Sequence, residues 1–338
     1  MTNFVRNGLY FVAGILLSFL VLGLLLPAKM YWGNQEYLRK IELSRTDKFN
    51  AAFLGSSRIL TGINPFLFDS LINLQNRTKI KSINLATPGT WANETFYLYE
   101  TLLADTSISG SLDLVFLEFQ NIMAIKFNKL TSDKAIYYQS ANNLAFISKY
   151  ALNEIRLSVK NTPAAAYLLA SYSLAYLQNI LSFQRFEGNK LSFDTLTYFG
   201  INSRGYLGLS KKKQSKRAVS NKILDAYKQS ATLNLTKPIT DYNKTFRAKC
   251  IQLINRSKAR GIKLVFVLPP VRLTRGMAAV FRSLPVENRI EVCNPQTFPK
   301  LYYIDNWIDE THLSENGSYF LNTYLVNEYT KSITEATN

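Results

Sequence analysis

Five short, largely apolar runs, rich in β-branched and aromatic side chains, punctuate the body of the chain: Asn50–Leu54, Ile80–Leu85, Leu112–Phe119, Ile262–Leu268 and Leu301–Ile304. Stretches with apolar positions at helical spacing separate them. Near-continuous apolar runs mark strands buried on both faces, and their alternation with helices predicts a parallel sheet covered by helices. The fourth run follows an amphipathic stretch, Tyr242–Arg260, that ends at Gly261, where a left-handed helix terminus is expected. A last helix is predicted through Tyr319–Tyr329.

The predicted fold class is therefore α/β: a flavodoxin-like three-layer α/β/α arrangement around five parallel strands. Residues 33–121 and 241–338 would supply its two parts, and residues 122–240 a mostly helical insertion or cap between the third and fourth strands. Ordinary αβ connections are about 2–6 residues long, so a crossover of this size must fold on its own or cover the sheet. It contains the basic run Lys211-Lys212-Lys213-Gln214-Ser215-Lys216-Arg217, which reads either as a solvated loop or as a contact for anionic lipid or polymer.

The pattern changes at the amino terminus. Gly8 to Leu26 is an uncharged apolar run that covers roughly 28 Å as a helix, enough to span a bilayer core. Arg6 precedes it, and Lys29, Tyr31 and Trp32 follow, as interfacial anchors do. Leu24-Leu25-Leu26-Pro27-Ala28 lacks the small-x-small signature of signal cleavage, so residues 1–32 are expected to form an uncleaved membrane anchor. Lys29, Arg39 and Lys40 outnumber Arg6 and the amino terminus, which favours a cytoplasmic body, although large domains translocate regardless of such counts.

Composition narrows the chemistry. The chain has 338 residues with 47% hydrophobic content, which makes disorder a poor reading. Its net charge of +17 suggests attraction to nucleic acid, anionic lipid or an acidic polymer, but no zinc-finger spacing, RNA-binding aromatic signature or basic zipper argues for nucleic acid. Two cysteines cannot build a disulfide framework and are expected to be free thiols. One histidine excludes a metal centre that needs two imidazoles, but leaves a catalytic base.

Ligands of open α/β sheets sit at the carboxyl ends of strands. After the first strand comes Gly55-Ser56-Ser57-Arg58, a sharp turn into a helix that either caps the helix or presents a nucleophilic hydroxyl. After the fifth, Asp309 and His312 are placed so that the carboxylate can hold Nδ1 and leave Nε2 free for a serine proton. Gly89 follows the second strand and Asn121 the third; a backbone N–H and a side-chain amide there would face a developing oxyanion. Arg272, after the fourth strand, and Arg58 read as solvated residues or as ligands of a substrate carboxylate or phosphate.

Taken in order, Gly-x-Ser, a glycine, an amide and Asp-x-x-His-Leu resemble the SGNH, or GDSL-type, serine hydrolase superfamily over roughly Phe49–Asn121 and Gly261–Val326. The likeness is greatest to its membrane-anchored bacterial members, including D-alanyl transfer and polysaccharide O-acetylation proteins. It implies Ser57 as nucleophile, His312 as general base, Asp309 as its orienting partner, and Ser57, Gly89 and Asn121 as oxyanion hole. The third block departs from the family's Gly-x-Asn-Asp, since Phe119-Gln120-Asn121 stands there.

The resemblance thus implies an anchored serine esterase or O-acyltransferase that needs no cofactor. Its substrate would be acyl, above all acetyl, esters of an acylated or anionic surface glycan, with envelope biosynthesis proteins as partners and the catalytic domain outside the cytoplasm. Two alternatives stand beside it: an inactive scaffold in envelope polysaccharide assembly, with the serine and histidine drawn apart, and a lipid esterase facing the cytoplasm.

Overall fold

The computed structural model describes residues 2–26, 29–76, 79–187, 201–209, 219–236, 242–271 and 274–337. Five strands, β1 (Ala51–Leu54), β2 (Ser82–Asn84), β3 (Leu114–Glu118), β4 (Lys263–Leu268) and β5 (Arg289–Glu291), form one sheet in the order β2-β1-β3-β4-β5. Every pairing is parallel. The helices before β4 are α1 (Thr2–Leu25), α2 (Gln35–Thr46), α3 (Ser57–Gly62), α4 (Pro65–Asn76), α5 (Ala92–Ala104), α6 (Thr106–Ser109), α7 (Asp133–Tyr137), α8 (Ala141–Leu157), α9 (Thr162–Leu181), α10 (Gln184–Glu187), α11 (Asn221–Thr236) and α12 (Lys244–Lys258). After it come α13 (Arg275–Arg282) and α14 (Glu315–Thr337).

The chain divides into two compact units. One joins residues 1–38 to residues 124–191, and the other joins residues 39–123 to residues 192–338. In the second, all residues of β1, β2 and β3 are buried, which is why those runs lack polar alternation. Phe53 stacks on Phe116 at 5.0 Å, with Phe68 of α4 edge-on at 4.9 Å and Leu321, Leu325 and Val326 of α14 in the same core. Elsewhere in this unit Phe119 and Phe266 pack against Phe96 of α5 and Phe246 of α12. Gly261 takes φ +74° just after α12, as its position in the sequence requires. Cys250 and Cys293 are free, buried thiols.

The fifth strand is not where the hydrophobic pattern puts it. Leu301–Ile304 lies in 3-10 turns, and β5 is Arg289–Glu291. Leu301 and Tyr302 are apolar because they enter the core from those turns: the Leu301 carbonyl accepts the Trp307 indole N–H, and the Tyr302 hydroxyl donates to the Cys293 carbonyl. In β5 only Ile290 is buried, since a three-residue edge strand has one inward position. The run Lys211–Arg217 lies outside the described residues.

In the first unit, α8 and α9 form a helical hairpin and α1 packs on α9. Asn3–Leu25 is long and apolar enough to cross a membrane, and nearly all of it is exposed. Gly23 allows that packing: a Cβ there would meet the Ile180 carbonyl oxygen at 2.2 Å.

Candidate active site

In the strand order β2-β1-β3, successive connections leave β1 in opposite directions, which opens a crevice at the carboxyl ends of β1 and β3. Gly55-Ser56-Ser57 leaves β1 at this point. Gly55 lies so close to β3 that a Cβ would fall 2.6 Å from Glu118 Oε2. The two serines divide the two tasks, capping and presenting a hydroxyl, between which the residues of the turn alone left the choice open. Ser56 caps α3 by accepting the Arg58 N–H at 3.3 Å, and Ser57, the first residue of the helix, keeps its hydroxyl for another partner.

That partner is His312. Its Nε2 lies 2.8 Å from Ser57 Oγ, and its Nδ1 lies 2.8 and 2.9 Å from the two carboxylate oxygens of Asp309. With Nδ1–H donated to the carboxylate, Nε2 accepts the serine proton. The loop builds this geometry locally. Ile308 N–H donates to the His312 carbonyl at 2.9 Å, while Asp309 Oδ1 accepts the backbone N–H groups of Thr311 and His312 at 2.8 and 2.9 Å. Burial raises the Asp309 carboxyl, but the bonds from His312 and Thr311 outweigh it and bring the pKa down to about 2.

The loop sits on fixed supports. Trp307 is buried beneath it and lies 5.9 Å from the Tyr227 ring of α11, whose hydroxyl donates to the Glu310 carbonyl at 2.7 Å. Ser314 Oγ accepts from Gly317 N–H at 3.2 Å as α14 begins, and a Cβ on Gly317 would meet the Asn306 carbonyl oxygen at 2.2 Å. From α14, Ser318 Oγ and Asn322 Nδ2 donate to the Gly62 carbonyl of α3, at 2.9 and 3.0 Å. The helices bearing the hydroxyl and following the imidazole are thereby fixed to each other.

Glu118 is the member of the site that sequence reasoning left without a role. Fully buried at the end of β3, it accepts Ser56 N–H and Arg58 Nε–H, each at 2.6 Å. Arg58 also donates from Nη2 to Gln120 Oε1 at 3.1 Å, and Gln120 in turn donates to Thr95 Oγ1 at 2.9 Å. Arg58, expected to meet substrate, thus holds protein partners with two of its nitrogens. The available signal was register: Glu118 ends the strand paired with β1, and Arg58 stands three residues after Gly55.

Gly89 turns with φ +72° and is exposed, with nothing within 4 Å of a Cβ placed on it. Its loop is tied to the serine turn, because Thr87 N–H and Thr90 Oγ1 donate to the Gly55 carbonyl at 3.0 and 3.1 Å. Asn121 is half-buried, and its carbonyl accepts Ala92 N–H at 3.1 Å at the start of α5. Both therefore stand at strand ends next to that of Ser57. Arg272 lies outside the described residues. Among the described residues no group of three or more His, Cys, Asp or Glu could hold a metal ion.

Comparison with known proteins finds no family model that matches the chain and no curated protein that matches its sequence.

Proposed function

We propose that this protein is a membrane-anchored serine esterase or O-acyltransferase of SGNH type, with Ser57, His312 and Asp309 as its catalytic residues. The observation that carries the reading is the unbroken relay from Ser57 Oγ through the imidazole to Asp309, with 2.8 Å at its first link. The inactive-scaffold alternative predicts those two side chains too far apart to meet or an occluded site, and the contact counts against the first of these. The order β2-β1-β3-β4-β5 is that of flavodoxin-like sheets, which supports a three-layer α/β/α core with the crevice where Ser57 sits.

In this reading Ser57 Oγ attacks the acyl carbon of an ester while His312 Nε2 takes its proton. Asp309 stabilises the imidazolium and fixes its tautomer. The tetrahedral oxyanion is held by Ser57 N–H, Gly89 N–H and the Asn121 amide. As the intermediate collapses, His312 returns the proton to the leaving alkoxide. The acyl-enzyme then passes its acyl group to a glycan hydroxyl, or to water, by the same proton route in reverse. The apolar α1 is the anchor, and the basic body suits an anionic or acylated surface glycan, with the catalytic domain on the outer side of the membrane.

The test is turnover of p-nitrophenyl acetate by the full chain in proteoliposomes, with and without a polysaccharide hydroxyl acceptor. Turnover that disappears in Ser57→Ala and His312→Ala supports the reading, and acetyl groups recovered on the polysaccharide assign transfer rather than hydrolysis. Equal rates in parent and both variants would overturn it. A reporter fused after Asn338 tests the side of the membrane.

A further inference from the structure

α1 and α9 run antiparallel within their unit. Phe19 meets Phe183 edge-on at 4.5 Å, just beyond the end of α9, and Gly23 lies against Ile180. This contact fixes a depth. If the apolar run to Leu26 crosses a bilayer, Phe19 lies about 10 Å inside its near boundary, and whatever touches Phe19 lies there too. We propose that the corner at the end of α9, through Phe183, is a second membrane element, a wedge that enters the lipid leaflet beside the anchor without crossing it, with α10 at its rim. The inference rests on the reading of α1 as membrane-spanning.

The side chains at this corner fit such a place. Leu177, near the end of α9, and Phe183, just beyond it, are 46% and 53% exposed, large apolar groups left open at this corner. Phe183 also borders an apolar groove of about 780 Å³ that runs along Tyr10, Ile15, Phe19 and Leu22 of α1, so the exposed face continues that of the anchor. No charged residue occurs from Thr162 to Phe183, and the charges that follow, Arg185 and Glu187, stand in α10 beside Lys29. Two backbone N–H groups turn inward at the corner, as suits a hydrocarbon setting: Ser182 N–H donates to the Asn179 carbonyl at 3.2 Å and Phe186 N–H to the Phe183 carbonyl at 2.9 Å. The cations stand at its rim. Lys29 donates to the Arg185 carbonyl from its backbone N–H and to the Glu187 carbonyl from Nζ, each at 2.7 Å, at the level where lipid phosphates lie.

Depth-dependent quenching tests this. Single cysteines at Leu16, Leu177, Phe183 and Val159 in the full chain are labelled with an environment-sensitive fluorophore. The chain is reconstituted in vesicles of phosphatidylcholine and phosphatidylglycerol, in which the buried Cys250 and Cys293 stay unlabelled. Val159, 80% exposed just before α9 begins, is the water-facing control. Labels at Leu16, Leu177 and Phe183 are expected to emit at shorter wavelength, to be quenched by lipids with nitroxide on the acyl chain and to resist iodide, with the reverse at Val159. Lipid quenching at Leu16 together with iodide quenching at Leu177 and Phe183 would overturn the wedge and leave the anchor intact. Shielding of those two sites from both quenchers would also overturn it, in favour of a protein partner. A Leu16 label open to iodide would remove the anchor and the wedge together. A circular dichroism spectrum and a urea midpoint equal to the parent's in each variant show that the fold is retained.

Discussion

The turn that presents Ser57 is tied down by side chains from distant parts of the chain, whereas the loop that presents His312 is tied down mainly by itself. On the serine side, Glu118 from β3 holds Ser56 and Arg58, and Asn84 from β2 donates to the carbonyls of Ile59 and Ile63, both at 2.8 Å. On the histidine side, Nδ1 is held by Asp309 three positions away, Asp309 in turn by the Thr311 and His312 backbone, and Thr311 is exposed. The placement of Ser57 is thus a product of tertiary structure and that of His312 a product of a local motif. Substitutions on the two sides should fail in different ways.

The largest effects are expected where the chemistry itself is removed. Ser57→Ala and His312→Ala should each lower ester turnover on the order of 10⁶-fold, with denaturant midpoints near the parent's. Asp309→Asn should cost on the order of 10⁴-fold in kcat by leaving the imidazole in the wrong tautomer. Its stability effect has a pH signature. A carboxyl lowered to about 2 from 3.8 contributes stability that is fully present above pH 4 and is lost as pH falls through 2. Urea titrations of parent and Asp309→Asn should therefore differ most above pH 4 and converge towards pH 2.

On the serine side the failure should be structural. Glu118→Ala removes the acceptor of Arg58 Nε–H and Ser56 N–H and the counter-charge of the guanidinium, and should destabilise the chain by about 3–5 kcal/mol in urea unfolding. Turnover would fall with it. Glu118→Gln, which keeps the shape and one acceptor, should cost less. The smallest effect belongs to Thr311→Val, which removes only a hydroxyl 3.0 Å from Asp309 Oδ1 at an exposed position and should lower kcat a few-fold with stability unchanged within about 0.5 kcal/mol. Should Glu118→Ala and Thr311→Val behave alike in urea, the contrast between the two sides would not hold.

The same contrast explains what could be read in advance. Asp309 and His312 are legible because their interaction needs only a three-residue spacing, and β1, β3 and β4 because strands buried on both faces leave apolar runs. Glu118 was not, since an acidic residue at a strand end normally reads as solvent-facing, and its burial depends on Arg58, 60 residues away. β5 was missed because one buried Ile290 between two charged residues gives no pattern, while Leu301 and Tyr302 offered a stronger one for another reason. Which serine caps the helix and which faces the imidazole follows from the path of the turn, and only the Gly-x-Ser resemblance, with Ser57 in third place, distinguishes the two in the sequence.

The central claim is that Ser57 Oγ is a nucleophile activated by the chain's single imidazole. Its most direct test is to treat the full chain with a fluorophosphonate and map the modified peptide by mass spectrometry. The expected result is one phosphonyl adduct, on Ser57, that is absent in His312→Ala. An unmodified chain, or an adduct on Ser56 that persists without His312, would contradict it.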